Sequence, residues 1–203
     1  LNAGIQSFAD QLRQDGIPVY FALVYFYGNI QIYNFSTGQY DTAPSSFQEN
    51  FTQDIAALKA ELTYSITSGD YPGNTTFGRE DSVGTLSFVA NQVPYRASAQ
   101  KNLLLASDEQ PQISGGTLST SDMEQARIDL NSSGIDFLHF FVNPNFDAEW
   151  DFWQYPIGEI EEGNKLPGVR VEIATPNFSG ASALIKVATE IKEEADLVSD
   201  SNI

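Results

Sequence analysis

The chain has 203 residues, with 27 acidic against 10 basic side chains, one His and no Cys, for a formal charge of −17. The length suits one domain with a real core, and an apolar share of 41% is too high for a disordered acidic tail. The charge repels phosphate backbones and anionic headgroups, which disfavours nucleic acids and polybasic membrane attachment, while the lack of Cys excludes disulfides, Cys-based zinc sites, iron–sulfur ligation and a thiol nucleophile.

The elements read as follows in chain order. Ile5, Phe8, Ala9 and Leu12 recur at helical spacing before a stop at Asp15-Gly16, which predicts a helix over 2–15. Val19 to Tyr27 is β-branched and aromatic, as a strand covered on both faces should be, and Gly28-Asn29 turns it into a second strand, Ile30 to Phe35. Residues 36–46 are rich in Ser, Thr, Gly and Pro. Phe47, Phe51, Ile55, Leu58 and Leu62 then predict one helix, followed by a Gly- and Thr-rich loop from Thr67 to Arg79.

Glu80, Asp81 and Ser82 suit a helix N-terminus and open a short helix carrying Val83, Leu86, Val89 and Ala90. Asn102 to Ala106 is a compact apolar run ending in Ser107-Asp108-Glu109, the pattern of a buried parallel strand that delivers polar groups at its C-terminal edge. Ser121 with Glu124 three residues on reads as a capping box. Strands follow at Ile135 to Val142 and Val169 to Ala174, and a last helix at Ser182 to Glu194. Strands separated by helices predict an open α/β sheet with both faces covered. No apolar run approaches the roughly 18 residues of a membrane span. Any metal is expected to be hard and oxygen-bound.

This order of elements resembles a von Willebrand factor type A domain. The resemblance runs from residue 1 to about 194 and is carried by IQSFADQL, PVYFALVYFYGNIQIYNF, KNLLLASDEQP, GIDFLHFFVNP and VRVEIATPNFSGASALIKVATEI. Its most specific stretch is R-x-x-A-x-K-N-L-L-L-A-S-D-E, and GDYP followed by REDS is similar to a bacterial surface-protein subgroup. The resemblance implies a doubly wound, mostly parallel open sheet with one antiparallel edge strand, spanning residues 1–194 and followed by an acidic tail, 195–203. It also implies a divalent cation, Mg2+ or Ca2+, at the C-terminal edge of the sheet, where an incomplete protein shell leaves room for a partner's carboxylate. Asp108 matches the family's Asp after the fourth strand. Asp81 and Ser82 lie closest to the middle-loop ligand, with Asp70, Thr75, Thr76 and Glu80 nearby.

The family's Asp-x-Ser-x-Ser motif and the central strand before it are absent from the chain. The sequence opens on Leu1 rather than Met, so the expectation is that residues before Leu1 supply the strand; the tail Asp196 to Ile203 or a strand from another chain are the alternatives.

Each residue also has a bland reading. Asp108 can be a strand-end turn residue, Asp81 and Ser82 helix caps, and His139 a packed sheet residue. Trp150, Trp153 and Tyr155 either cover the sheet's edge or form an aromatic partner-binding surface, to which Glu109 would belong. Sequons at Asn34, Asn50, Asn74, Asn131 and Asn177 fit an exterior location. The leading expectation is a non-catalytic adhesion module, secreted or on a cell surface, that binds a protein partner. A structural assembly subunit with a degenerate metal site is the alternative. A nucleotide-binding or hydrolytic enzyme is disfavoured, because the chain has no phosphate-loop or nucleophile-elbow motif.

Overall fold

A computed structural model describes residues 2–26, 28–68, 80–156, 165–172 and 184–193. The fold is mixed α/β with small sheets, some of them parallel. The chain opens with α1 (Asn2–Gln14), which buries Ile5, Phe8, Ala9 and Leu12 as their spacing predicts. Gly16, at φ +79°, ends it and turns the chain into an extended run.

Among the described residues that run contributes β1 (Val24–Tyr25) to a ladder, in an antiparallel sheet with β2 (Gln31–Asn34) and β3 (Gln39–Asp41) in the order β1-β2-β3. The long strand expected from Val19 to Tyr27 is divided between partners. Phe21 exchanges backbone hydrogen bonds with Thr52, and the Leu23 carbonyl accepts from Tyr33 N–H. β3 falls within the segment read as polar loop. Its turn is built by the Asn34 side chain, which accepts from Ser36 and Thr37 N–H, and by Gly38 at φ +71°.

The helix expected from Phe47 to Leu62 is two helices, α2 (Phe47–Asn50) and α3 (Ile55–Ser68). Between them Phe51 is extended and Thr52 pairs with Phe21, so a backbone bridge interrupts an apolar spacing that a continuous helix would also satisfy. Asp54 restarts the helix by accepting from Ala56 and Ala57 N–H.

α4 (Ser82–Gln92) is capped by Asp81, whose carboxylate accepts from Gly84 N–H at 3.0 Å. β4 (Asn102–Ser107) pairs in parallel with β5 (Phe137–Val142) across six positions, and β5 pairs in parallel with β8 (Arg170–Glu172). The intervening α5 (Thr120–Ser132) has its capping box at Ser119 and Asp122, two residues before the pair predicted, because Ser121 lies already inside the helix. After β5 a 3-10 segment (Pro144–Phe152) leads into β6 (Gln154–Pro156), which pairs in parallel with β7 (Leu166–Gly168). Residues 184–193 form the last described helix, α6.

Alternate residues of β5 enter different cores. Phe141 packs with Phe8, Leu12, Leu58, Leu184 and Ile191 from α1, α3 and α6, whereas Leu138, Phe140 and Val142 pack with Leu86, Ala126 and Leu130 from α4 and α5. Gly168 shows how tightly β7 meets this strand, since a Cβ there would lie 1.7 Å from the Leu138 carbonyl oxygen. No helix among the described residues is long and apolar enough to cross a membrane.

Candidate functional site

The C-terminal end of β4 gathers the polar residues that the sequence singles out there. β4 ends in Ser107 and hands the chain to Asp108 and Glu109, while Glu80 and Asp81 arrive from the N-terminal side of α4. The two segments are joined by a hydrogen bond of 2.7 Å from Ser107 Oγ to Glu80 Oε2, and the same hydroxyl accepts from Glu109 N–H at 3.1 Å. Asp81 N–H donates to the Phe26 carbonyl at 2.9 Å, which ties this corner to the end of the β1 run.

Among the described residues the charged side chains of this corner are acidic. Burial raises the Glu80 carboxyl above its ordinary range, the Ser107 hydroxyl lowers it in part, and the neighbouring Asp108 and Glu109 charges raise it again. Glu80 therefore sits among negative charges with a hydroxyl as its hydrogen-bond donor.

The expected ligands fare differently. Ser82 is fully buried and its hydroxyl accepts from Gln112 N–H at 3.0 Å, so it fastens α4 to the 109–112 loop and faces no solvent. Asp81 acts as the helix cap, with Oδ1 engaged by Gly84 N–H. Asp108 and Glu109 are exposed, although their carbonyls accept from Asn143 Nδ2 and Trp150 Nε1. Asp70, Thr75 and Thr76 lie outside the described residues. Among the described residues no group of three or more His, Asp or Glu side chains is arranged to hold a metal ion. Sequence reasoning missed Ser107 as the connection between the two acidic segments; its position at the end of the apolar run was the available signal.

The aromatic group faces inward. Trp150 and Trp153 are fully buried and Tyr155 is 7% exposed. Trp150 packs on Phe140 and donates to the Glu109 carbonyl, and Trp153 donates to the Met123 carbonyl at 3.1 Å. The expectation of an aromatic contact surface at Trp150, Trp153 and Tyr155 is corrected accordingly: the two indoles fill the space between β5 and α5 with their N–H groups satisfied by backbone carbonyls, and Tyr155 is buried in β6 under Lys165. Two sequons are also structural. Asn34 and Asn50 are buried, and Asn50 donates to the Tyr33 carbonyl while accepting from Ser45 N–H.

His139 is fully buried in β5, where Nδ1 accepts from Val169 N–H at 3.1 Å. Burial lowers its pKa to about 3, so the ring is neutral at physiological pH. A scan of protein-family models, a search of curated proteins and a search of solved structures each find no match to this chain.

Proposed function

We propose that the chain is a non-catalytic, type A-like binding module that contacts a protein partner through the C-terminal edge of its parallel strands, in a secreted or surface-exposed setting. On this reading its two three-stranded sheets are parts of one doubly wound, mostly parallel sheet. The observation that carries it is the corner of Glu80, Asp81, Asp108 and Glu109, where burial first and the Asp108 and Glu109 charges second raise the Glu80 carboxyl. Such a corner gains from a cationic group, which a partner's Lys or Arg or a bound divalent cation would supply.

The donor set limits the cation reading. Asp108, Glu80 and the free oxygen of Asp81 are hard donors suited to Mg2+ or Ca2+, whereas the Ser82 hydroxyl is already spent on Gln112. The described residues alone fall short of a full shell, so a cation here would need ligands from a partner or from beyond the described segments. The non-catalytic part is supported by the one His of the chain, which is sealed in β5 and serves a backbone N–H.

Calorimetric titration of the chain with Mg2+ and with Ca2+ tests the cation. Binding heat that disappears in Asp108→Ala supports it, and no heat with either ion removes it.

A further inference from the structure

The loop between β4 and α5 shapes a cavity of about 390 Å³, lined by Gln110, Gln112, Ile113, Gly116, Thr117 and Leu118. Its size falls within the roughly 300–1,000 Å³ of small-molecule sites, and it lies off the C-terminal end of a parallel strand, where α/β sheets bind ligands. The walls are fixed by groups outside the loop. Gln112 is pinned through its backbone, since its N–H donates to Ser82 Oγ at 3.0 Å and its carbonyl accepts from Val83 N–H at 3.0 Å. The Glu109 carbonyl accepts from Trp150 Nε1, Pro111 is buried, and Leu118 rests on the apolar cluster of α4, α5 and β5. At the far turn Gly115 takes φ +77°, and a Cβ on Gly116 would find nothing nearer than Ile113 Cγ2 at 4.0 Å. Gly116 therefore leaves room that a side chain would occupy.

The chemistry of the lining is polar without charge. Gln110 and Gln112 each offer a carboxamide oxygen and an NH2 group, and Thr117 a hydroxyl, so all three side chains can both donate and accept. Ile113 and Leu118, both partly buried, add an aliphatic patch. A carboxylate stands at the edge: Gln112 Nε2 lies 3.5 Å from Oε2 of Glu109, which is exposed. An anion entering the cavity would meet that charge, and an uncharged ligand would not. Hydroxyls on a saturated ring match both parts of the lining, because each hydroxyl donates and accepts while the C–H face of the ring covers aliphatic carbon.

We infer that this cavity is a binding site for one uncharged sugar unit, whose ring hydroxyls bond the Gln110 and Gln112 carboxamides and the Thr117 hydroxyl while its C–H face lies on Ile113 and Leu118. The polar contacts are few and Gln110, Gly116 and Thr117 are exposed, so binding is weak, in the millimolar range, and selective by charge. A free sugar and a sugar unit within a glycan present the same hydroxyls, and both fit the site. The inference goes beyond the reading above and draws on neither the cation nor a cationic group of a partner.

Proton–nitrogen NMR spectra of the whole chain, titrated with the methyl glycosides of glucose, galactose and mannose, test it. The side-chain NH2 signals of Gln110 and Gln112 and the backbone amides of Gly116 and Thr117 should shift saturably with at least one of the three. The matching uronate, which differs by a carboxylate, should bind at least about threefold more weakly at low ionic strength. Gly116→Leu puts a side chain into the open space from a backbone outside the left-handed region, and should abolish the shifts. Gln112→Ala keeps the backbone bonds to Ser82 and Val83 and should weaken binding about five- to tenfold, so it decides the question if Gly116→Leu fails to fold. A short oligosaccharide ending in the same sugar separates the two sources: tighter binding than the methyl glycoside supports a glycan, and equal binding supports a free sugar. No saturable shift with any of the three glycosides up to their solubility, a uronate bound as tightly as its neutral counterpart, or undiminished binding in Gln112→Ala would each overturn the inference. The calorimetric experiment reads Asp108, which makes no contact used here, so either result can fail without the other.

Discussion

β4 and β5 lie side by side in one parallel ladder, each six residues long and each largely apolar, yet all of β5 is buried while β4 buries only Leu105 and Ser107. Hydropathy does not separate them, since Leu103, Leu104 and Ala106 are as suited to an interior as Phe137 or Leu138. Neighbours do. β5 is held between β4 and β8 and meets β7, whereas β4 has, among the described residues, a strand on one edge alone. Burial in a parallel sheet is thus a property of completed pairing, and an apolar run measures the burial that a strand can use rather than the burial it has.

Truncating each strand would expose that difference most directly. Phe140→Ala, at a fully buried ring against Trp150, should cost about 3–5 kcal/mol by urea denaturation. Leu104→Ala in the partly buried neighbour should cost about 1–2 kcal/mol, below the range of fully buried leucines. Equal losses would refute the argument from neighbours. Gly168→Ala should cost about 3 kcal/mol, because the added Cβ meets the Leu138 backbone of β5 rather than a side chain able to move.

Acid should act on β5 through His139. The folded ring titrates at about 3 against an ordinary 6.5, so the unfolded chain gains a proton first. The stability tied to the neutral ring is present above 6.5 and is lost as pH falls from there toward 3, at about 1.4 kcal/mol per pH unit over most of that window. Denaturation curves collected across this range should show the slope in the native chain, reduced by that amount in His139→Gln.

The smallest effect belongs to the end of β4. Glu80 has a raised pKa, so the stability tied to its protonated form is present below the unfolded value of 4.5 and is lost as pH rises through the folded value. At neutral pH its ionised form is a cost. Glu80→Gln, which can still accept from Ser107, should raise stability by less than about 1 kcal/mol after solvent screening. An unchanged or lower melting temperature at pH 7 would count against the charge crowding.

What the sequence made legible follows the same division. β4, β5 and α4 were readable because a six-residue apolar run or an Asp cap ahead of a periodic stripe is a local signal. The split between α2 and α3 was not, because it depends on Thr52 meeting Phe21, thirty-one residues earlier in the chain. β3 was hidden by composition, as Tyr40 gains its place opposite Tyr33 once Asn34 and Gly38 have formed the turn. At the site, the polar residues around β4 were found, and their use was not. Whether Ser82 is a ligand or a fastener depends on Gln112, and whether Trp150 and Trp153 face a partner or a core depends on the carbonyls of Glu109 and Met123. Those partners are distant in sequence and no spacing announces them.

The buried imidazole has one further consequence, which is spectroscopic. With Nδ1 accepting from Val169, the neutral ring carries its proton on Nε2, and that nitrogen lies 3.4 Å from Oδ1 of Asn102, at the start of β4. Asn102 stands opposite Phe137 in the ladder while its side chain touches the ring. Because the chain has a single His, the ring nitrogens of His139 form an isolated pair of NMR signals whose tautomer is fixed by the backbone. A change at the start of β4 would move the Nε2 resonance and leave Nδ1 in place, so the protein carries its own reporter for that strand without an added label group.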